Sequence, residues 1–125
     1  MIFKNKEFQK WAKKAGLADL ALCRAVAEMM KGLVDADLGG GVFKKRVALP
    51  GRGKSGSVRT LLATNRDDRW FFVLGFEKNE RSNITDKELI GLRILADDLF
   101  SMTEKQIQEA IKDGYLVEVK DEKTE

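Results

Sequence analysis

A chain of 125 residues, 43% hydrophobic and 34% charged, has the balance of one folded domain rather than of a disordered or multidomain chain. It holds no histidine, which removes His-based nucleophile systems and histidine metal sites, and its one cysteine allows no internal disulfide. Net charge is +3 but unevenly spread: residues 1–84 carry 17 Lys and Arg against 9 Asp and Glu, residues 85–125 carry 6 against 11.

Ile2 and Phe3 are expected to form a short first strand. Phe8, Trp11, Ala12 and Ala15 follow at i, i+3, i+4 and i+7, one face of a helix that Gly16 can end. A second helix is expected to start with Asp19 as N-cap and to end near Gly32. Its apolar face is read as Leu22, Cys23, Val26, Met29, Met30 and Leu33, with Cys23 as inert core. Gly39, Gly40 and Gly41 break the chain, and the apolar period then changes from helical to alternating. Residues 42–49, 58–64 and 70–77 read as three strands, joined by a glycine-rich loop and a polar turn, and their closeness in sequence predicts an antiparallel meander. Thr85 and Glu88 make a capping-box pattern ahead of a helix marked by Leu89, Leu92, Leu95, Ala96 and Leu99. Thr103 and Gln106 repeat it ahead of a fourth helix with Ile107, Ala110 and Ile111 apolar and Gly114 as a stop. Residues 115–119 alternate weakly, as a terminal strand does. The expected fold is α+β: a small twisted antiparallel sheet with two N-terminal helices and the C-terminal helices packed on it, one domain over residues 1–119, then a charged tail over 120–125.

The strongest apolar run, Trp70 to Phe76, is too short to cross a bilayer as a helix, so no membrane partner is expected. The first residues do not read as a secretory signal, and with a lone cysteine the expected setting is the cytoplasm. The stretch from Ala48 to Ser55 fits a relaxed phosphate-loop pattern. A working phosphate loop needs a helix after it, and the following residues read as a strand, so a mobile basic loop is the better reading.

From Phe43 to Arg59 there are six basic residues (Lys44, Lys45, Arg46, Arg52, Lys54 and Arg59) and no acidic one, a field suited to a polyanion. Lys44 and Arg46 share strand parity, Arg59 stands on the next strand, and Lys78 and Arg81 follow the third, so a meander can gather these five on one sheet face. No carboxylate cluster suited to magnesium is seen, and no cofactor is expected. Metal-free RNA cleavage by 2′-hydroxyl attack is served by such groups: arginines stabilise the added phosphoryl charge, and a lysine crowded by cations can move a proton. Taken without further argument, the residues are better read as a basic sheet face that only binds RNA.

The motifs Val42-Phe-Lys-Lys-Arg-Val-Ala, Pro50-Gly-Arg-Gly-Lys-Ser-Gly56, Val58-Arg59 and Phe76-Glu-Lys-Asn-Glu-Arg-Ser-Asn-Ile-Thr-Asp86, in that order, resemble the core of RelE/ParE superfamily toxins, most closely the HigB-like branch. The resemblance implies a toxin of a type II toxin–antitoxin system: an endoribonuclease that cuts messenger RNA in the ribosomal A site and is neutralised by a helix-turn-helix antitoxin. It puts the superfamily's paired basic residues on Lys44 and Arg46, its strand arginine on Arg59 and its later basic block on Lys78 and Arg81; together with the basic run and loop, the expected catalytic residues are Lys54, Arg59, Lys78 and Arg81 and the expected RNA-binding residues Lys44, Lys45, Arg46 and Arg52. Asn79 stands where many members have a catalytic arginine, and Ile84 and Thr85 where some have a tyrosine, so the stacking partner and the general base are unassigned. Two alternatives stay open: a ParE-like gyrase inhibitor and a noncatalytic RNA-binding module.

Overall fold

The computed structural model describes residues 1–49 and 56–120. Ten elements follow in order: β1 (Ile2–Asn5), α1 (Lys6–Ala15), α2 (Asp19–Met30), β2 (Ala36–Asp37), β3 (Val42–Ala48), β4 (Ser57–Thr64), β5 (Trp70–Glu77), α3 (Asp86–Ser101), α4 (Glu104–Lys112) and β6 (Leu116–Val119). The strands form one sheet in the order β2-β3-β4-β5-β1-β6.

The central meander is antiparallel, β3 on β4 and β4 on β5. Helices cover both sides. One core joins Phe8 and Ala12 of α1 and Leu22, Ala25, Val26 and Met29 of α2 to the face carrying Phe43, Val47, Val58, Leu62, Trp70 and Phe72. The other joins Ala96, Leu99 and Ile107 to Phe3, Val42, Ala63, Phe71 and Val73. The two N-terminal helices thus lie on one face and the two C-terminal helices on the other, and strand alternation feeds each core in turn.

Helix ends follow capping chemistry. Asn5 caps α1 by accepting from the Phe8 amide at 2.8 Å, and Gly16 ends it in the left-handed region at φ 75°. Thr85 and Thr103 both complete capping boxes, as their spacing predicts. Arg69 closes the far end of α3, donating from Nη1 to the Met102 carbonyl at 2.6 Å.

Four details differ from the sequence expectation. The sheet is mixed, because β1 runs parallel to β5, with Phe3 opposite Phe71, and antiparallel to β6. A two-residue edge strand, β2, pairs with Phe43 and Lys44 and is too short to leave a periodic signal. Asp19 is the first helical residue rather than the N-cap of α2; Ala18 holds that place, and the Asp19 carboxylate instead takes the buried Lys4 ammonium at 2.6 Å. That helix ends at Met30, and Met30 and Leu33, expected on its apolar face, are 69% and 58% exposed; Ala25 is buried there instead.

A bulge decides where the next residues point. Leu61 pairs with Leu74 and Leu62 with Phe72, so Val73 is an extra residue on β5. Before it, odd residues Phe71 and Val73 face α3. After it the parity reverses: a Cβ on Gly75 would lie 2.2 Å from the Trp11 ring of α1, so position 75 faces the N-terminal helices and Phe76 the other side.

Candidate functional site: a row of arginines across three strands

The α3-side face of the meander can be read as rows across β3, β4 and β5. Val42, Ala63 and Phe71 align at one end, buried beneath α3. Lys44, Leu61 and Leu74 form the next row. Arg46, Arg59 and Phe76 form the third, with Arg46 directly opposite Arg59 and Arg59 directly opposite Phe76. Directly paired residues share a face, so both side chains leave the sheet on the side where Phe76 lies. Their flanking neighbours Lys45, Val47 and Val58 are buried on the other.

Arg81 joins the row from beyond β5. The Glu77 carbonyl accepts from the Glu80 amide at 3.0 Å and the Arg81 amide at 3.4 Å, a tight turn that brings the chain back. The Arg81 guanidinium carbon sits 5.0 Å from the centre of the Phe76 ring, a cation–π arrangement over an almost fully buried aromatic. Its Nη1 donates to both oxygens of Glu88, at 2.7 and 2.9 Å.

Carboxylates tie down the two ends of the row. Asp35 accepts from the Arg46 amide at 2.5 Å and from its Nε at 3.3 Å, satisfying a strand N–H that the short β2 leaves unpaired. At the other end the Arg81 guanidinium, with the Thr85 amide, holds the Glu88 carboxyl at about 2, well below the usual carboxylate range. Arg59, between them, is half-buried and makes no side-chain hydrogen bond or ion pair among the described residues. Its Cα is paired directly with that of Arg46, and no counter-charge bonds it among the described residues.

The other expected residues divide. Lys44 lies half-buried one row inward on the same face, and Lys78 is exposed in the turn after β5. Lys45 does not belong with them. Strand alternation sends it to the opposite face, where its side chain is 10% exposed, and its ammonium binds the Leu33 carbonyl at 3.0 Å and Glu28 at 2.8 Å. Its expected RNA-binding role is corrected to a structural one: it ties the end of α2 to β3. Arg52 and Lys54 lie outside the described residues, in the connection between β3 and β4; the pairing of those strands runs out to Ala48 and Ser57, two residues beyond Arg46 and Arg59. The phosphate-loop pattern at 48–55 is followed by β4 and not by a helix, so no helix N-terminus stands behind it.

Asp35 and Glu88 escape sequence reasoning as members of the site. Glu88 is visible only as a cap, and nothing near Asp35 announces its contact with Arg46, eleven residues on. Among the described residues no group of three or more His, Cys, Asp or Glu is placed to hold a metal ion, and no helix is long and apolar enough to cross a membrane. Four positive or aromatic groups from separate segments are thus brought to one face of the sheet. The family model described as "RelE toxin of RelE / RelB toxin-antitoxin system" matches residues 1–119. No curated protein matches the chain.

Proposed function

The chain belongs to the RelE toxin family, and from that premise we propose that the arginine row is the active site of a ribosome-dependent messenger RNA endonuclease. The observation that carries the reading is the register Arg46–Arg59–Phe76 with Arg81 folded over Phe76. In the reaction the ribose 2′-oxygen forms a bond to the adjacent phosphorus, the bond from phosphorus to the 5′-oxygen breaks, and a 2′,3′-cyclic phosphate and a 5′-hydroxyl result. The 2′-hydroxyl proton leaves to a base, and the departing 5′-oxygen gains one. DNA lacks the attacking group. Arg59 stabilises the charge on the five-coordinate phosphorus, where one well-placed donor contributes roughly 10²–10³ in rate. Arg81 adds a second planar donor, Arg46 and Lys44 hold the flanking backbone, and Lys78 attracts it from the rim. Lys54 and Arg52 belong to the connection between the two strands carrying Arg46 and Arg59, and lysine is a residue type suited to proton transfer.

The ordered motifs at 50–56 and 76–86 support the HigB-like branch, with a helix-turn-helix antitoxin as partner and the ribosomal A site as the place of cleavage. The ribosome supplies what this open face lacks, a substrate held in line for attack. The test is cleavage of a defined message by the purified protein in the presence and absence of translating ribosomes, with cut sites mapped by primer extension. Cuts that need ribosomes, and that vanish on replacing Arg59 and Arg81 together, are the expected result. Inhibition of gyrase supercoiling without RNA cuts gives the ParE-like activity instead, and tight RNA binding with no cuts gives a binding module.

A further inference from the structure

Helices α3 and α4 begin with the same capping box, built to the same dimensions. Thr85 Oγ1 accepts from the Glu88 amide at 3.1 Å and Glu88 Oε1 from the Thr85 amide at 2.8 Å. Thr103 Oγ1 accepts from the Gln106 amide at 3.1 Å and Gln106 Oε1 from the Thr103 amide at 2.8 Å. An uncharged amide therefore makes this cap, in this protein, with the same geometry as a carboxylate. What the carboxylate at position 88 adds is its contact with Arg81, whose Nη1 meets both of its oxygens.

We propose that Glu88 is a positioning residue of the RNA-cutting site, fixing Arg81 over Phe76 so that its remaining donors stand ready for the phosphate. The proposal rests on the nuclease reading above. Long arginine side chains on a surface ordinarily sample many rotamers. Here the guanidinium is held three ways: by the turn that returns its backbone to Glu77, by the Phe76 ring and by Glu88. Only Nη1 is used by the carboxylate, so the Nε and Nη2 donors make no hydrogen bond among the described residues. Donors fixed before the substrate arrives stabilise a transition state more than donors that must be ordered at that moment. The carboxylate itself is held by its own helix cap, so the Glu88 end of the pair is fixed by the first turn of α3.

The experiment compares wild type, Glu88→Gln, Arg81→Ala and the double variant in single-turnover cleavage on programmed ribosomes, with thermal unfolding of each. Glu88→Gln keeps the cap that Gln106 makes in α4 and loses only the part-exposed ion pair with Arg81, so its melting temperature falls slightly and the fold is kept. Its cleavage rate constant falls roughly 10- to 100-fold with half-saturating concentration little changed, the mark of a misplaced catalytic group. In the Arg81→Ala background the same substitution costs nothing further, because Glu88 acts only through Arg81. Glu88→Gln cleaving at the wild-type rate or faster, or a full additional loss in the double variant, overturns the positioning role while leaving the nuclease reading intact. Wild-type protein that makes no ribosome-dependent cut, or Arg81→Ala that cuts normally, overturns the site assignment itself and the role of Glu88 with it.

Discussion

Arg59→Gln separates function from stability with opposite signs. Arg59 sits directly opposite Arg46 and has no partner of its own among the described residues. Like charges facing each other across an antiparallel pair destabilise the sheet by about 0.2–1 kcal/mol. Glutamine keeps part of the aliphatic stem and removes the charge, so the variant is expected to be as stable as wild type or up to about 1 kcal/mol more stable, with the gain shrinking in high salt. Cleavage moves the other way. Losing the central donor from the transition state costs roughly 10²–10³ in rate, equivalent to about 3–4 kcal/mol. The assays are urea unfolding at low and high salt and single-turnover cleavage on programmed ribosomes. A variant that unfolds more than about 1 kcal/mol more easily makes Arg59 a structural residue. A variant that cuts at the wild-type rate removes it from the chemistry. Either result breaks the argument that this arginine is left unpaired for a phosphate.

Three further outcomes follow from the same geometry. Lys45→Met is expected to fold with stability within about 1 kcal/mol of wild type and to cut RNA normally, since Met fills the buried stem and the half-exposed Glu28 returns to water; urea unfolding and the cleavage assay check it. Gly75→Ala places a methyl where the Trp11 ring stands, 2.2 Å from its nearest carbon, and is expected to destabilise by about 1–3 kcal/mol, read from the urea midpoint. Glu88 titrates at about 2 in the folded protein against an ordinary 4.5, so its share of stability is present above about pH 4.5 and is lost as pH falls toward 2. Wild type is therefore expected to lose stability relative to Glu88→Gln between pH 4.5 and 2, with the difference constant above pH 5; a difference growing between pH 5 and 8 contradicts that assignment.

Sequence periodicity reads best where one stretch supplies its own signal. The meander strands, the two threonine capping boxes and the Gly16 stop all announce themselves locally, through alternation or through residues three apart. The shared parity of Lys44 and Arg46 and the opposite parity of Val47 followed from the pleat alone. By the same rule Lys45 belonged with Val47 beneath α2, so its basic chemistry was a poorer guide than its position in the strand. What stayed hidden depends on partners distant in the chain. Phe3 pairs with Phe71 and Glu118, and no local pattern names either. The extra residue in β5 is equally silent: Phe71, Phe72, Val73 and Leu74 are all apolar, so the parity reversal that turns Phe76 toward Arg59 leaves no mark in hydropathy.

One sheet face thus changes character over three rows. At the end covered by α3 the pairs are apolar, one row on they are mixed, and at the last they are cationic. A row of three arginines without counter-charges repels itself, and a row with every arginine paired has little attraction for RNA. Asp35 and Glu88 resolve that conflict by holding Arg46 and Arg81 from outside. Carboxylates lie at the flanks of the row and Arg59 at its centre. The two carboxylates come from separate segments of the chain, Asp35 from the lead into β2 and Glu88 from the first turn of α3. The electrostatic shape of the row therefore exists only in the folded state.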